Sequence, residues 1–449
     1  MDEGLHMRKG DQTATTANCE PRRSEVGQIA DSGSHARLAR DGGSPVRVEA
    51  WPTYEIGDAY INTADEDAGI AAIRARRYFR YDARALPATD VGRFEAQLCR
   101  YFDAPHALAC TSGTTALSLA LLALGLTPTT RVLCPAFTFA ATPSAIRLAG
   151  LTPEFVDCDD ELHLDLLDLR RKLTPEVGAV VVVHMRGFAA DVDAVRRLTD
   201  PLGIPVIEDA VPGLGARLRG RLLGTLGVAS AFSTQSDKSI NTGEGGFLIT
   251  SCSELFARAV VYSGAYESRM ARHFGAEQPP ESVSDQDYPI FGWRMDEIRG
   301  AMARSMLTRL DQRVALHRRN YQEVTVALDG IARIALRRPV AEDAVLGESL
   351  LFRVLDPSPM AAAAFADALR AEGIAARNIG AAQERNARAF WNWRFCFGDA
   401  AQAKRMLPRT AATLQRTVDI SLSANLTPRD RSDLVAAVRK VATRLPVQK

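Results

Sequence analysis

Four short segments of the chain carry residue types that could do chemistry. The first is Thr111-Ser112-Gly113-Thr114-Thr115. Small hydroxyl residues and a glycine at a helix start leave N–H groups pointing outward. Together with the helix dipole they make an anion site, most often for phosphate; an ordinary N-cap would use the same residues. No G-x-x-x-x-G-K-[ST] occurs and no G-x-G-x-x-G follows a strand, so neither a P-loop nor a dinucleotide fold is indicated. The second segment, Pro135-Ala136-Phe137-Thr138-Phe139-Ala140-Ala141-Thr142, sets two aromatics in a strand-to-helix loop. One of them could stack on a planar ligand, or both could pack in the core. The third, Val206-Ile207-Glu208-Asp209-Ala210, puts two carboxylates after an apolar strand. An acid facing a ligand crevice needs a metal, an arginine or a protonated ring nitrogen as partner; one in a surface turn does not.

The fourth segment runs from Ala231 through Ser233 to Lys238 and on to Gly243-Glu244-Gly245-Gly246. Lysine is scarce in this chain. Of 55 Lys and Arg residues only Lys9, Lys172, Lys238, Lys404, Lys440 and Lys449 are lysine, and the other 49 are arginine. Arginine cannot give up its proton, whereas a desolvated lysine can act as nucleophile or base. A hydroxyl-lined helix N-terminus for a phosphate, a stacking aromatic, an acid for a ring nitrogen and a Lys for a Schiff base together equip a pyridoxal phosphate site.

Such groups need a scaffold that brings them to one place. Short, continuous apolar runs at 132–134, 154–156, 179–183, 205–207 and 247–249 read as buried strands. Helical patterns at 118–124, 141–148, 165–173 and 192–198 lie between them. That alternation predicts an α/β fold with a mostly parallel sheet covered by helices on both faces. Ligands then bind beyond the carboxyl ends of the strands. Earlier helical patterns occupy 71–79 and 94–102, and a long one covers 296–328. A smaller α+β region follows, with strands at 349–354 and 418–422 and helices at 360–369 and 429–445. The expected division is a disordered tail over 1–48, a large α/β domain over 49–310 and a small C-terminal domain over 311–449. The tail is expected because Gly, Ser, Thr, Asp and Arg dominate it and large apolar residues occur singly.

Composition narrows the classes. The 449 residues carry a net charge of +1, against a dedicated nucleic-acid binder. Seven scattered cysteines without C-x-x-C argue against a disulfide framework or a zinc cluster and for reduced thiols. No apolar run reaches membrane-spanning length and no secretory h-region opens the chain, so a cytoplasmic protein without membrane contact is expected.

At these motifs the sequence resembles the DegT-type sugar aminotransferases, a branch of the fold-type I pyridoxal phosphate enzymes. The resemblance covers roughly 66–310 and weakens toward the C-terminus. It rests on Ser112-Gly113-Thr114, Pro135 to Phe139, Glu208-Asp209-Ala210, Ser233 to Lys238 and Gly243 to Gly246, in that order, with Trp293-Arg294-Met295-Asp296-Glu297 as a further landmark. It implies pyridoxal 5′-phosphate as cofactor, with Lys238 holding it covalently and shuttling protons, and Asp209 pairing with the ring nitrogen. Phe139 would stack on the ring, and Ser112, Gly113, Thr114 and Ser233 would hold the phosphate. It also implies a homodimer with shared sites, in which Glu244 and the region near Trp293 approach the partner's site. The implied reaction moves an amino group from an amino acid, Glu or Gln, to a keto-sugar, keto-cyclitol or related ketone. Alternatives are another reaction on the same cofactor, or a catalytically silent regulator that kept the fold. The sequence departs from the family pattern at Val211-Pro212-Gly213-Leu214, at Gly292, at Met185-Arg186 and at Ser239; Pro212 stands where relatives carry Gln.

Overall fold

The computed structural model describes residues 37–52, 60–381 and 385–447. The large sheet contains β1 (His106–Cys110), β2 (Arg131–Pro135), β3 (Thr152–Val156), β4 (Val177–Val183), β5 (Val206–Asp209), β8 (Ala229–Ser233) and β9 (Gly246–Thr250). A two-stranded ribbon, β6 (Arg217–Leu218) and β7 (Arg221–Leu222), lies outside it. The strand order is β1-β9-β8-β5-β4-β2-β3. All pairings are parallel except those of β9, which runs against both β8 and β1. Every residue of β5, β8 and β9 is buried. Burial on both faces is why these strands show no polar–apolar alternation; the acids that β5 carries meet hydrogen-bond donors inside the protein.

Helices α1 (Thr63–Ala75), α2 (Asp90–Phe102), α3 (Gly113–Ala123), α4 (Ala141–Leu148), α5 (Leu166–Lys172), α6 (Val192–Thr199) and α7 (Ser253–Ser263) belong to this half of the molecule. Helix α3 is wedged between the sheet, α4 and α7 and buries most of its circumference. On the other face Phe94, Phe102, Phe232 and Phe247 form an aromatic cluster, with the Phe232 and Phe247 rings stacked 4.7 Å apart. Fully burying such a side chain contributes about 1.5–3 kcal/mol.

The long helical pattern is two helices, α8 (Glu297–Leu307) and α9 (Leu310–Leu328). Arg309 leaves helical geometry between them and pairs with the buried Asp65 of α1 at 2.6 Å. The 71–79 pattern is also cut short, because α1 ends at Arg76 in left-handed geometry (φ 53°), and Tyr78 and Phe79 lie beyond it.

The small domain is an antiparallel sheet of β10 (Ile334–Leu336), β11 (Ser349–Val354), β13 (Thr417–Ser421) and β12 (Ala376–Asn378). It packs against α10 (Ala361–Ala371) and α14 (Pro428–Arg444) through Phe352, Phe365, Leu434 and Val438. Between them run α11 (Arg394–Phe397), α12 (Ala400–Met406) and α13 (Pro408–Arg416). Not all of 311–449 keeps to itself: Phe390, Trp391 and Trp393 join the core of the large domain, with Trp393 5.7 Å from Phe155.

The tail expected over 1–48 needs revision at its end. Residues 1–36 lie outside the described residues, but 37–48 are built into the small domain. Leu38 is buried in its core beside Trp51. Glu372 accepts the N–H groups of Ala39 and Val46 at 2.8 and 3.0 Å. Arg47 is itself buried and donates to Asp430 at 2.7 Å, to Asp433 at 3.1 Å, and to the carbonyls of Glu49 and Ala50. Single anchors such as these leave no periodic pattern for a sequence reading to detect. No helix among the described residues is long and apolar enough to cross a membrane.

Arg47 is therefore the clamp of this segment. Arg47→Ala should lower the unfolding free energy by about 2–4 kcal/mol, because it strands a buried carboxylate; an unchanged denaturation midpoint would contradict this. Burial alone would raise the Asp430 carboxyl, but hydrogen bonds from Thr427 and Arg47 outweigh it and hold it below its ordinary value. The clamp should then be complete above about pH 4 and fade as the pH falls further. Hydrogen exchange of residues 38–47 across that range reads it directly.

Candidate active site

The carboxyl ends of the parallel strands surround a cavity of about 330 Å³. Its wall begins at the N-terminus of α3. Ser112 caps that helix, accepting the Thr115 N–H at 3.0 Å while its own N–H donates to Thr115 Oγ1 at 2.8 Å. The helix start is pressed against the sheet. A Cβ on Gly113 would lie 2.9 Å from the Ser233 Cβ, and one on Gly246 would lie 2.4 Å from the Ser112 carbonyl carbon. Glycine is thus required at both positions by close approach, and this brings Ser233 beside the free N–H groups of the helix. Gly245, at φ 154°, turns the chain into β9 with its missing Cβ aimed at Thr234 Oγ1.

Strand β5 carries the two acids of the third segment, and its alternation sends them to opposite faces. Glu208 is fully buried. Its oxygens accept the N–H groups of Gly224, Leu226 and Gly227 at 2.7–2.8 Å and face His184 Nε2 at 3.0 Å. His184 Nδ1 accepts the Ala190 N–H at 3.1 Å, so the ring proton sits on Nε2 and is donated to Glu208. Glu208 is a structural knot and does not reach the cavity. Asp209 does. Its Oδ2 accepts the Thr142 hydroxyl at 2.7 Å, and Thr138 backs Thr142 at 2.6 Å. Burial lifts the Asp209 carboxyl above its ordinary range, the Thr142 hydrogen bond offsetting only part of the effect. Among the described residues no cation lies within ion-pairing distance of Asp209, and the Lys238 charge counters the burial only in part.

Lys238 sits in the loop joining β8 to β9. That loop is closed by Thr234 N–H to Gly245 O, Thr242 N–H to Thr234 O and Ser236 N–H to Gly243 O, all at 2.8–3.0 Å. The Lys238 N–H donates to Gln235 O at 2.9 Å, and its ammonium lies 3.2–3.3 Å from Asp237. Phe139 lines the cavity half-exposed, whereas Phe137 is buried in the core. The two aromatics thus divide the alternatives that the sequence left open.

Ser112, Gly113, Thr114, Phe139, Asp209, Ser233 and Lys238, all anticipated from the sequence, line this one cavity. Glu244, expected to approach a partner's site, lines this chain's own cavity, as does Pro212. Trp293 stacks on Phe291 at 4.4 Å, and the Cα of Gly292 faces open space. Arg294 donates to Gly264 O at 2.7 Å and lies over the Phe79 ring.

Sequence reasoning missed Thr142, Asp237, Glu348 and Arg388, and the part played by Arg186. Arg186 is buried at φ 60° after β4 and binds Asp419 of β13 at 2.7 Å. Its carbonyl accepts the Ser349 hydroxyl at 2.8 Å. Only the departure from the family pattern at Arg186 was visible in the sequence; Thr142 and Asp237 fall inside segments singled out for other residues, and Glu348 and Arg388 carry no local signal. A larger cleft of about 790 Å³ lies between α9 and the 334–342 segment. It holds none of these groups.

These residues fit a phosphorylated aromatic aldehyde. The glycine cradle at the α3 N-terminus admits a phosphate, Asp209 has no ion pair among the described residues, Phe139 is half-exposed to the cavity and Lys238 supplies an amine. Two substitutions on β5 should behave oppositely. Glu208→Ala leaves three buried N–H groups without an acceptor and should cost about 3 kcal/mol or more of unfolding free energy. Asp209→Asn removes a carboxylate whose raised value destabilises the cofactor-free protein once the pH exceeds the unfolded carboxyl value. At pH 7 that variant should match or exceed its parent in denaturant titrations; a large loss would contradict the reading.

A family model described as the DegT/DnrJ/EryC1/StrS aminotransferase family matches residues 84–439. The GDP-perosamine synthase of Caulobacter vibrioides is 34% identical over 238 residues, 51% of this chain and 61% of that protein. The 3-amino-5-hydroxybenzoate synthase of Amycolatopsis mediterranei is 30% identical over 288 residues, 63% of this chain and 69% of that protein. Among solved structures, S. venezuelae DesV in complex with a ketimine intermediate superposes with a TM-score of 0.73 at 25% identity, covering 89% of this chain and 100% of that one. The 3-amino-5-hydroxybenzoic acid synthase gives 0.71 at 24% identity, over 89% and 98%, a likeness of fold.

Proposed function

The chain belongs to the DegT/DnrJ/EryC1/StrS aminotransferase family, and on that premise we propose that it moves an amino group from an amino acid to the ketone of a sugar, a cyclitol or a related ring. The cycle is ping-pong, donor and acceptor using one site in turn. Aminotransferases of this family depend on pyridoxal 5′-phosphate. The observation that carries the reading is the convergence of Lys238, Asp209, Phe139 and the α3 N-terminus on one cavity.

When bound, the cofactor supplies an electron-withdrawing ring that stabilises negative charge on the substrate carbon losing its proton. The chain's residues do the rest. The Gly113 and Thr114 N–H groups and the Ser112 and Ser233 hydroxyls hold the phosphate. Asp209, kept in place by Thr142, would accept the N–H of the ring nitrogen and keep its proton there. Phe139 covers one ring face and excludes water from it. The Lys238 amine would hold the cofactor and, when free, would take and return the proton at the substrate carbon. Pro212 offers no side-chain donor where relatives carry Gln, so the cofactor is held by fewer groups on that side.

We also infer a homodimer. Ile70, Ile73, Tyr78 and Phe79 are 40–49% exposed on and just after α1. Apolar side chains clustered on one surface mark an association face. The six described cysteines are free, which suits a reducing cytoplasm.

Borohydride reduction of cofactor-loaded protein should fix the cofactor to the Lys238 peptide, read by mass spectrometry, and Lys238→Ala should abolish this. A parent that takes up no cofactor would overturn the reading. Asp209→Asn should lower kcat on the order of a hundredfold or more. Separately, Ile70→Glu combined with Ile73→Glu should convert a species of twice the chain mass into one of single mass by light scattering; a parent that is already monomeric refutes the dimer.

A further inference from the structure

The chemistry above gives no task to Glu348. It precedes β11 on the small-domain side and lines the cavity with Lys238, Asp237, Arg186 and Arg388. Its main chain is fixed, since its carbonyl accepts the Leu422 N–H at 2.8 Å. Among the described residues no hydrogen bond reaches its side-chain oxygens. The acids of β5 and β13 differ in this respect, whereas Asp237 pairs with Lys238 and keeps its Oδ1 without a hydrogen bond among the described residues. Glu208 is saturated, Asp209 is held by Thr142, and Asp419 is held by Arg186. Arg186, a cation facing Glu348, spends its guanidinium on Asp419 and Ser421. Burial pushes the Glu348 carboxyl up; Arg186, Lys238 and Arg388 counter it, and the charge of Asp237 adds to it.

A carboxylate with unused acceptor capacity in a half-desolvated cavity costs free energy until a donor arrives. O–H and N–H groups of a ligand meet that need. A ligand carboxylate would set like charges against each other where little water screens them. If donor and acceptor use one site in turn, as proposed above, the constraint applies to both.

We propose that Glu348 is the specificity-determining residue of this cavity, selecting substrates that present hydroxyl or carboxamide donors to it over substrates that present a second carboxylate. For the amino donor this means glutamine over glutamate. For the acceptor it means a ring ketone carrying hydroxyl groups on the edge that meets Glu348. The assignment rests on the aminotransferase reading for which substrates occupy the cavity, but binding tests it without turnover.

The probes are glutarate and glutaramate, which differ only in one terminal group, titrated calorimetrically into the cofactor-loaded protein. Glutaramate should bind at least about tenfold more tightly than glutarate. Glu348→Gln, nearly isosteric, should bring the ratio close to one with an unchanged melting temperature, and Glu348→Asp should keep the preference. A ratio near one in the parent, no measurable binding of either compound, or a ratio that Glu348→Gln does not move would overturn the assignment. Loss of cofactor colour with glutamine reports separately on the aminotransferase reading. If binding discriminates as expected while colour persists with every amino acid tried, the Glu348 assignment stands and the transfer reaction does not.

Discussion

Four hydrogen-bond donors converge on the Glu208 carboxylate, and the geometry of the site hangs from them. Three are backbone N–H groups of the 224–227 turn leading into β8, and the fourth is the imidazole that follows β4. One side chain thus ties together the ends of β4 and β5 and the approach to β8. Removing either kind of partner would strand buried polar groups, which is far costlier than the net value of any one bond. Because residues alternate along a strand, this fixes the face that Asp209 presents. The acid that does structural work and the acid that faces the cavity are adjacent in sequence and opposite in direction.

The remaining wall comes from the small domain, through contacts that are themselves buried. Arg186 leaves β4 at a positive φ, a strained geometry for a residue with a side chain. It is held there by Asp419 and Ser349 from β13 and the edge of β11. Such a pair adds little net stability, because desolvating both partners nearly cancels their attraction. What it provides is position, tying the end of β4 to the small-domain strand beside which Glu348 enters the cavity that Lys238 also lines. The N-terminal residues 37–48 act likewise at the far side of the same domain, where Arg47, Glu372 and Lys440 bind them to α14.

The lysine scarcity takes on a sharper meaning from the structure. Lys172 and Lys440 also occupy defined places, each donating to a carboxylate and to a backbone carbonyl. Lys172, Lys238 and Lys440 each stand where a compact ammonium meets a carboxylate. Scarcity alone could not tell Lys238 from these; its position in the loop between β8 and β9 does.

Much of the fold and most of the cavity were legible in the sequence, for a physical reason. Strands buried on both faces carry continuous apolar runs, and their ends and the turns that follow are rich in glycine, hydroxyl residues and acids. Ser112 to Thr114, Phe139, Asp209, Ser233 and Lys238 all lie in such turns or at strand ends, so local pattern was enough to find them. What local pattern could not express was contact across the chain. The sequence alone did not show that β9 runs antiparallel, that Glu208 turns away from the cavity, that Leu38 and Arg47 are part of the small domain, or that Glu348 lines one cavity with Lys238. Each depends on groups brought together from distant positions, 110 residues apart for Lys238 and Glu348, where only packing of the whole chain decides which donors meet which acceptors.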